Sequence, residues 1–292
     1  MAKKRLGDRR DATLVRDADS MHTIMGYIYP NRADNEAYIS ETIDLTAINQ
    51  FLAEKNADKP EFKYTMFHVI VAALLKTVTL RPLLNRFYAN EYLYMRNELS
   101  AAFTIKRKFA DDGAEGLVRL VSSPDHTFRD VYEFLKAKIT AERSPKSDNA
   151  NTTEDSMDMF NKMPRFLSKF LVHRVRFLDR HGWLPASFAD SDPGQASIFL
   201  TNLGSIKLRC GYHHLANWGT NSLFVVIGEK RIAPAFNPDG TYVMKEFLDL
   251  GLTVDERIAD GYYYSKSVRL MKYLLEHPTE LEKPFKEAVD YE

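Results

Sequence analysis

The stretch EFLDLGLTVDERIADG, residues 246–261, predicts a β-strand that ends in a tight turn. Alternate side chains of a strand point to the same face, so one face carries four apolar residues from Leu248 to Val254, and Glu256 extends that face by one step. A carboxylate at the end of an apolar row is expected to be partly desolvated, and desolvation raises the pKa of a carboxyl group. Glu256 is therefore a candidate catalytic carboxylate.

The residues that follow Glu256 complete the turn. Asp255 and Arg257 point away from the face that carries Glu256, and a nearby guanidinium opposes the effect of desolvation on a carboxyl pKa. Asp260-Gly261 then leads into an amphipathic helix over residues 262–276, for which Asp260 is suited as the N-cap.

Composition excludes several classes of protein. The 292 residues contain 40 Lys plus Arg and 40 Asp plus Glu, so no overall field favours nucleic acid or an anionic membrane as a partner. Cys210 is the single cysteine, which excludes an intramolecular disulfide and is typical of a reducing, cytoplasmic location. No apolar run reaches the roughly 18 residues that a membrane-spanning helix needs.

The chain is predicted to be a single domain with two additions. Residues 1–20 begin with the basic sequence MAKKRLGDRR and are expected to form a mobile tail. Residues 21–292 are expected to form the domain, with a polar and helical insertion at about 144–195. The sequence contains none of the G-x-x-x-x-G-K-[ST], G-x-G-x-x-G or G-x-S-x-G motifs and no H-x-x-x-H spacing, so a metal site is not expected.

Strands and helices alternate irregularly, which is typical of an α/β or α+β fold with a large mixed sheet. Strands are predicted at 36–45, 86–95, 99–108, 116–122, 196–202, 222–227 and 241–256. Helices are predicted from a cap at Thr46, over 65–80, from His126, after Pro164, and over 262–276 and 278–288. His68, within an apolar helix, is predicted to be a buried and satisfied histidine.

The helix that follows Pro164, RFLSKFLVHRVRFLDRHGW, is basic and amphipathic. A helix of this kind either covers the domain's own core with its charges outward or lies on a membrane surface. The first alternative is the expectation here, and the second rests on composition alone.

Several motifs together resemble the catalytic domain of the 2-oxoacid dehydrogenase acyltransferases and the related chloramphenicol acetyltransferases. DERIADG at 255–261 is similar to that family's D-H-R-x-x-D-G turn, and SIFLTNLGSI at 197–206 to its F-T-I-S-N-L-G strand. GTNSLFVVIGEK at 219–230, SETIDLTAINQFL at 40–52 and the helix that starts at residue 65 resemble further elements in the same order.

The resemblance implies a two-layer domain with helices on a large mixed sheet, assembled as a homotrimer. In that family the active sites lie in channels between subunits, which coenzyme A and the acyl acceptor enter from opposite ends. Thr201 matches the hydroxyl that donates a hydrogen bond to the oxyanion, with Asn202 beside it. Asp260 matches the aspartate that holds the turn together, next to Arg257 and Gly261. No covalently bound cofactor is expected, and a dehydrogenase-type complex is a partner that the resemblance suggests.

The sequence departs from the family at the catalytic base, because Glu256 occupies the position of the family's histidine. An ordinary glutamate has a pKa near 4.3, about four units below that of a thiol, and is a weak base for a thiol proton. Three accounts stay open. Glu256 is a desolvated base, or His213 or His214 replaces the family's histidine, or the site is inactive and the trimer is a scaffold. Cys210 is expected to be an inert, buried thiol.

Overall fold

A computed structural model describes residues 5–106, 115–142 and 162–291. The predicted polar insertion from residue 144 therefore lies outside the described residues up to residue 161. No helix in the part of the chain that the structure describes is both long and apolar enough to cross a membrane.

The helices and strands are numbered in chain order. The strands are β1 Ala12–Leu14, β2 Glu36–Asp44, β3 Arg86–Ala89, β4 Tyr92–Arg96, β5 Leu99–Lys106, β6 Glu115–Ser122, β7 Ile198–Asn202, β8 Leu223–Phe236 and β9 Tyr242–Asp255. The helices are α1 Ser20–Ile28, α2 Thr46–Lys55, α3 Met66–Leu80, α4 Phe128–Glu142, α5 Arg165–Arg180, α6 Ala186–Ser191 and α7 Gly261–Glu276.

The large sheet is mixed, as the sequence predicts. Over the described ranges its strand order is β2-β9-β8-β7-β5-β6. β7 pairs in parallel with both β5 and β8, and the remaining neighbours pair antiparallel. The predicted α/β class, a large mixed sheet covered by helices, is confirmed.

Different elements pack on the two faces of this sheet. Residues Leu248, Leu250, Leu252 and Val254 of β9 are buried in one core with the apolar residues of α3 and α7. The apolar side chains of α3 are buried all round, which explains why the helix lacks a polar face. On the opposite face, Phe199, Thr201 and Phe224 point toward the loop that connects β7 to β8, and His213 of that loop stacks on Phe224.

The N-terminal region differs from the predicted mobile tail. β1 pairs antiparallel with β4 in a small sheet of order β1-β4-β3. Arg9 is buried, and its guanidinium donates to the carbonyl oxygen of Asp179 at 2.8 Å. The strand pairing and this long-range hydrogen bond hold the described residues before residue 20 against the domain. The prediction of a mobile tail over residues 1–20, which rested on basic composition, is therefore wrong for these residues.

Other local predictions need correction. Residues 86–95 form two strands, because Asn90 and Glu91 take positive φ angles of 47° and 69° and make a hairpin. The predicted helix at 278–288 is a 3-10 turn over Pro278–Glu282 only. Thr46 is the first residue of α2 and not its cap; its backbone N–H donates to Asp44 at 2.9 Å.

No apolar side chain of the basic helix α5 is fully buried. Phe166 is 77% exposed and Phe170 58%, whereas Asp179 is the buried residue of this helix. The expectation that α5 covers the core with its charges outward is therefore wrong. Asp179 anchors the helix instead, because its carboxylate accepts hydrogen bonds from Gln195 and from the backbone of Gly219.

Candidate functional site

Thr201 lies near the end of β7, on the sheet face opposite the helices. The next residue, Asn202, caps the 3-10 turn Leu203–Ile206 by accepting from the backbone N–H of Ser205 at 3.2 Å. Gly204 permits this turn, because a Cβ atom there would lie 2.4 Å from the carbonyl oxygen of Gly228. The N-L-G sequence after Thr201 thus forms a tight turn, and Thr201 lies at the end of the strand that this turn follows.

Thr201 lines a cleft of about 700 Å³. Its walls include the phenylalanines Phe62, Phe67, Phe103, Phe199 and Phe224 together with polar side chains. The hydroxyl of Thr201 has no hydrogen-bond partner among the residues that the structure describes, so it is free to donate to a ligand. A concave cleft that combines apolar and aromatic walls with polar groups that orient the ligand is the usual form of a small-molecule site.

The adjacent histidines of the β7–β8 loop, His213 and His214, lie in different environments. His213 lines the Thr201 cleft and stacks on Phe224, with ring centroids 4.9 Å apart. His214 is exposed and lines neither this cleft nor the one around Glu256. Cys210 is half-buried, hydrogen-bonds to carbonyl oxygens and is not paired with either histidine, and burial raises the pKa of its thiol.

Glu256 begins a 3-10 turn, Glu256–Ile258, that follows β9. Its backbone N–H donates to the carbonyl oxygen of Asn35 at 3.0 Å, but its side chain is exposed. The partial burial expected for a residue that ends an apolar row is not observed in the single chain, because the backbone leaves the strand at Asp255. No hydrogen bond or ion pair holds the Glu256 carboxylate within the described residues.

The charged residues on either side of Glu256 are buried together. Asp255 is 0% exposed and Arg257 1%, and the guanidinium donates twice to the carboxylate, at 2.8 and 2.6 Å. Arg257 also donates to the carbonyl oxygen of Tyr29 and lies 4.5 Å above the ring of Tyr88. The hydroxyl of Tyr264 donates to the backbone carbonyl of Asp255 at 2.8 Å. The partner of Arg257 is therefore Asp255.

Arg32 joins this buried pair to the loop before β8. Its Nε atom lies 3.8 Å from the Asp255 carboxylate, and its other nitrogens donate to the carbonyl oxygens of Ala216, Gly219 and Tyr88. Burial lowers the pKa of Arg32 to about 10, which still leaves it charged at neutral pH, and Asp255 opposes the effect of burial. One charged network thus holds the Glu256 turn, α1's end and the loop that carries His213.

Asp260 and Gly261 start α7. The Asp260 carboxylate accepts from the backbone N–H of Tyr263 at 2.7 Å and caps the helix. A Cβ atom at Gly261 would meet no atom within 4 Å, so space does not require a glycine there. The role of Asp260 in this chain is helix capping.

Glu256 lines a second cleft, of about 750 Å³, between β2, α1 and α7. His22 and the ion pair of Glu41 with Lys272 line the same cleft. None of the residues that line this cleft also lines the Thr201 cleft. Within one chain, Glu256 and Thr201 therefore do not face a common space.

His68 is buried as predicted but is not fully satisfied. Its Nδ1 accepts the backbone N–H of Thr65 at 3.0 Å, and burial lowers its pKa to about 4. The neutral ring therefore carries its proton on Nε2, which is buried without a partner among the described residues. His68 lines the Thr201 cleft. The described ranges contain no group of three His, Cys, Asp or Glu side chains that is arranged to hold a metal ion.

Solved structures share this arrangement of strands and helices. A probable dihydrolipoamide acetyltransferase from Listeria monocytogenes is 13% identical, with 95% of each chain covered and a TM-score of 0.57. A chloramphenicol acetyltransferase is 12% identical over 91% of this chain and 98% of the other, with a TM-score of 0.54. The chain has the chloramphenicol acetyltransferase-like fold. The resemblance to the acyltransferase family is confirmed at the level of the fold.

A third similar structure is the cubic core of the pyruvate dehydrogenase multienzyme complex. It is 13% identical and covers 96% of this chain and 94% of its own, with a TM-score of 0.53. No family model matches the sequence, and no curated protein matches it either. The chloramphenicol acetyltransferase-like fold is thus established by the structure, at low sequence identity.

Sequence reasoning missed part of this candidate site. The ion pair between Asp255 and Arg257 was not predicted. Strand alternation indicates the face on which a side chain lies but not the side chain with which it pairs. His22 escaped because it precedes the first predicted strand. The D-x-x-H spacing of Asp19 and His22, an N-cap followed by its third helical residue, is a signal that a capping search detects.

Replacing Asp255 with asparagine tests the buried network. We expect Asp255→Asn to lower the free energy of unfolding by about 3 kcal/mol or more, because it leaves buried guanidinium groups without a carboxylate. The matched control is Asp260→Ala, which removes an exposed helix cap and should cost about 1 kcal/mol. Urea denaturation followed by circular dichroism measures both. Equal losses for the two variants would show that the network does not stabilise the turn.

Proposed function

We propose that this chain is a coenzyme A-dependent acyltransferase that works as a homotrimer, with each active site shared by two subunits. In this proposal the Glu256 cleft of one subunit meets the Thr201 cleft of the next. The fold supports the proposal, since two similar structures carry the names of acetyltransferases with small-molecule substrates. The observation that carries it is the separation of two large clefts that share no residue.

Exposed apolar side chains support self-association. The end of the β8–β9 hairpin projects beyond its neighbours, and five of its large apolar residues are at least half exposed: Ile232, Phe236, Tyr242, Val243 and Met244. Contiguous apolar surface of this kind is typical of protein–protein interfaces. An assembly that covers the hairpin also agrees with the cubic core formed by one similar protein.

The chemistry assigned to the Thr201 cleft is stabilisation of the tetrahedral intermediate. The sulfur or oxygen of the acceptor attacks the carbonyl carbon of the thioester, and the carbonyl oxygen becomes an oxyanion. The Thr201 hydroxyl donates to that oxygen, and collapse of the intermediate expels the thiolate of coenzyme A. A preorganised donor of this type contributes about 2.7–4 kcal/mol to catalysis. The aromatic walls hold the acyl chain or the acceptor away from water.

The alternative is a catalytically inactive trimer that acts as a scaffold or binds a ligand. The glutamate in place of the family's histidine, with its side chain exposed and unpartnered within the described part of the chain, favours this second function. It differs from the first in needing neither coenzyme A nor a hydroxyl at residue 201. Association with a dehydrogenase-type complex would belong to this alternative as well as to the enzyme.

Kinetics of Thr201→Val test the proposed function. We expect the wild type to gain thermal stability with coenzyme A and to transfer acetyl groups from acetyl-CoA to dihydrolipoamide, to chloramphenicol or, slowly, to water. Thr201→Val should lower kcat about 100-fold with little change in KM, because it removes a donor used in the transition state. Thr13→Val, at an exposed residue of the edge strand β1, is the matched control.

Two results decide between the functions. Binding of coenzyme A together with loss of kcat in Thr201→Val supports the acyltransferase. A wild type that neither binds coenzyme A nor exceeds the background rate with any of these acceptors contradicts it and leaves the scaffold.

A further inference from the structure

We propose that His22, oriented by Asp19, is the catalytic base that the Glu256 position no longer supplies. This inference rests on the proposed acyltransferase function and names a residue for it. The Asp19–His22 pair lies at the start of α1, outside every motif that resembles the acyltransferase family.

The first observation is the hydrogen bond between the two side chains. The Nδ1 atom of His22 lies 2.8 Å from the Oδ2 atom of Asp19. With its proton shared toward the carboxylate, Nδ1 leaves Nε2 of the neutral ring as a proton acceptor. Nε2 has no hydrogen-bond partner in the described ranges. A histidine oriented by an aspartate and open on its other nitrogen is the arrangement of a general base.

The second observation is the set of contacts that positions the pair, whose Asp19 side chain is 63% exposed. Asp19 caps α1 by accepting from the backbone N–H of His22 at 2.9 Å, so the same carboxylate fixes the helix and the ring. The hydroxyl of Tyr88 donates to the carbonyl oxygen of His22. Gly26, one turn further on, is buried where a Cβ atom would lie 2.1 Å from the carbonyl oxygen of Glu91.

The third observation is the position of the pair relative to Glu256. α1 packs against the turn Glu256–Ile258, and His22 and Glu256 line the same cleft. Tyr88 connects them, because its hydroxyl bonds to His22 and its ring lies beneath the guanidinium of Arg257. The side chain of His22 is 20% exposed, in the cleft that Glu256 also lines.

The pair meets the chemical requirement better than a glutamate does. An imidazole is intrinsically a stronger base than a carboxylate, so it accepts a proton from a thiol more readily. When the acceptor sulfur attacks the thioester carbonyl, Nε2 of His22 takes the thiol proton as the carbon–sulfur bond forms. When the intermediate collapses, the imidazolium returns that proton to the leaving sulfur of coenzyme A. No oxidant or reductant is needed.

Substitutions at both members of the pair test the inference. His22→Gln keeps the backbone N–H that Asp19 caps, and Asp19→Asn keeps a good N-cap residue. We expect His22→Gln to lower kcat about 100-fold or more, and Asp19→Asn to lower it at least about 10-fold. KM for acetyl-CoA and the melting temperature should stay near the wild-type values. His277→Gln, an exposed histidine near the end of α7, is the matched control.

The outcomes separate this inference from the function on which it rests. If the wild type transfers acetyl groups and His22→Gln retains the wild-type kcat, His22 is not the base, although the acyltransferase stands. If His22→Gln loses activity only in proportion to a lower melting temperature, its role is structural and the inference fails. A wild type without acetyl transfer overturns both.

A different observation supports a second proposal: that the outward face of α5 binds an anionic phospholipid surface. Successive helical residues are about 100° apart, which places Phe166, Phe170 and Phe177 on one line, nearly opposite the buried anchor Asp179. These rings are 77%, 58% and 47% exposed, and Trp183, which follows the helix, is 63% exposed and packs edge-on against Phe177. Together they form a continuous aromatic surface.

The positive charge around this aromatic surface indicates an anionic partner. Four exposed basic residues accompany it on the helix, Arg165, Lys169, Arg174 and Arg180, and the guanidinium of Arg174 lies 5.7 Å from the ring of Phe170. The only acidic residue of the helix is Asp179, which is buried against the domain. A second copy of this basic face would be repelled, whereas anionic headgroups complement it. Aromatic residues beside basic ones on a helix are typical of interfacial membrane binding.

Sedimentation with vesicles tests the lipid proposal. We expect the protein to sediment with vesicles that contain phosphatidylglycerol and not with pure phosphatidylcholine. The triple variant Phe166→Ser, Phe170→Ser, Phe177→Ser should lose at least about 10-fold in affinity, because three rings no longer enter the interface. Ile232→Ser, Phe236→Ser, which changes exposed apolar residues of the hairpin, is the control.

No binding to anionic vesicles would overturn the lipid proposal. So would equal loss of binding in the hairpin control. Tighter binding to single-stranded oligonucleotides than to anionic vesicles would assign the surface to nucleic acid and contradict the proposal as well.

Discussion

The buried pairing of Asp255 with Arg257 is the interaction on which the site depends. A carboxylate and a guanidinium that are almost fully enclosed have lost their hydration, so each requires the other with good geometry. The two hydrogen bonds between them supply that geometry. One residue separates the partners, Glu256, and it begins the 3-10 turn Glu256–Ile258 in which Arg257 lies.

Several elements of the structure converge on this pair. Arg32 joins it to the β7–β8 loop, Tyr29 and Tyr88 join it to α1 and β3, and Tyr264 joins it to α7. The position of Glu256, of His22 and of the loop with His213 is therefore set by one set of buried charges. A site whose supporting residues are locked in this way is preorganised for its ligand. The Glu256 side chain is exposed in the single chain, and the proposed function assigns the completion of its cleft to a neighbouring subunit.

Sequence reasoning succeeded where periodicity carries the information. Burial was predicted correctly for the alternating leucines of β9 and for the helix α3, which is apolar on all sides. The motif around Thr201 was correctly predicted to lie at the end of a strand. It failed where long-range contacts override composition. The N-terminal residues are basic, yet Arg9 is held by carbonyl oxygens of α5, and α5 is amphipathic, yet it is attached through Asp179 and not through its phenylalanines. His22 was missed because capping residues before the first strand carry no periodic signal.

The most direct test of a site shared between subunits is the activity of mixed oligomers. Thr201→Val removes the hydroxyl of one cleft, and Glu256→Trp fills the other; each variant alone should be nearly inactive. Coexpressed in equal amounts, the two chains should recover about a quarter of the wild-type kcat, because about a quarter of heterologous interfaces then join two intact clefts. A mixture no more active than its parents would place both clefts within one chain's own site and contradict the account.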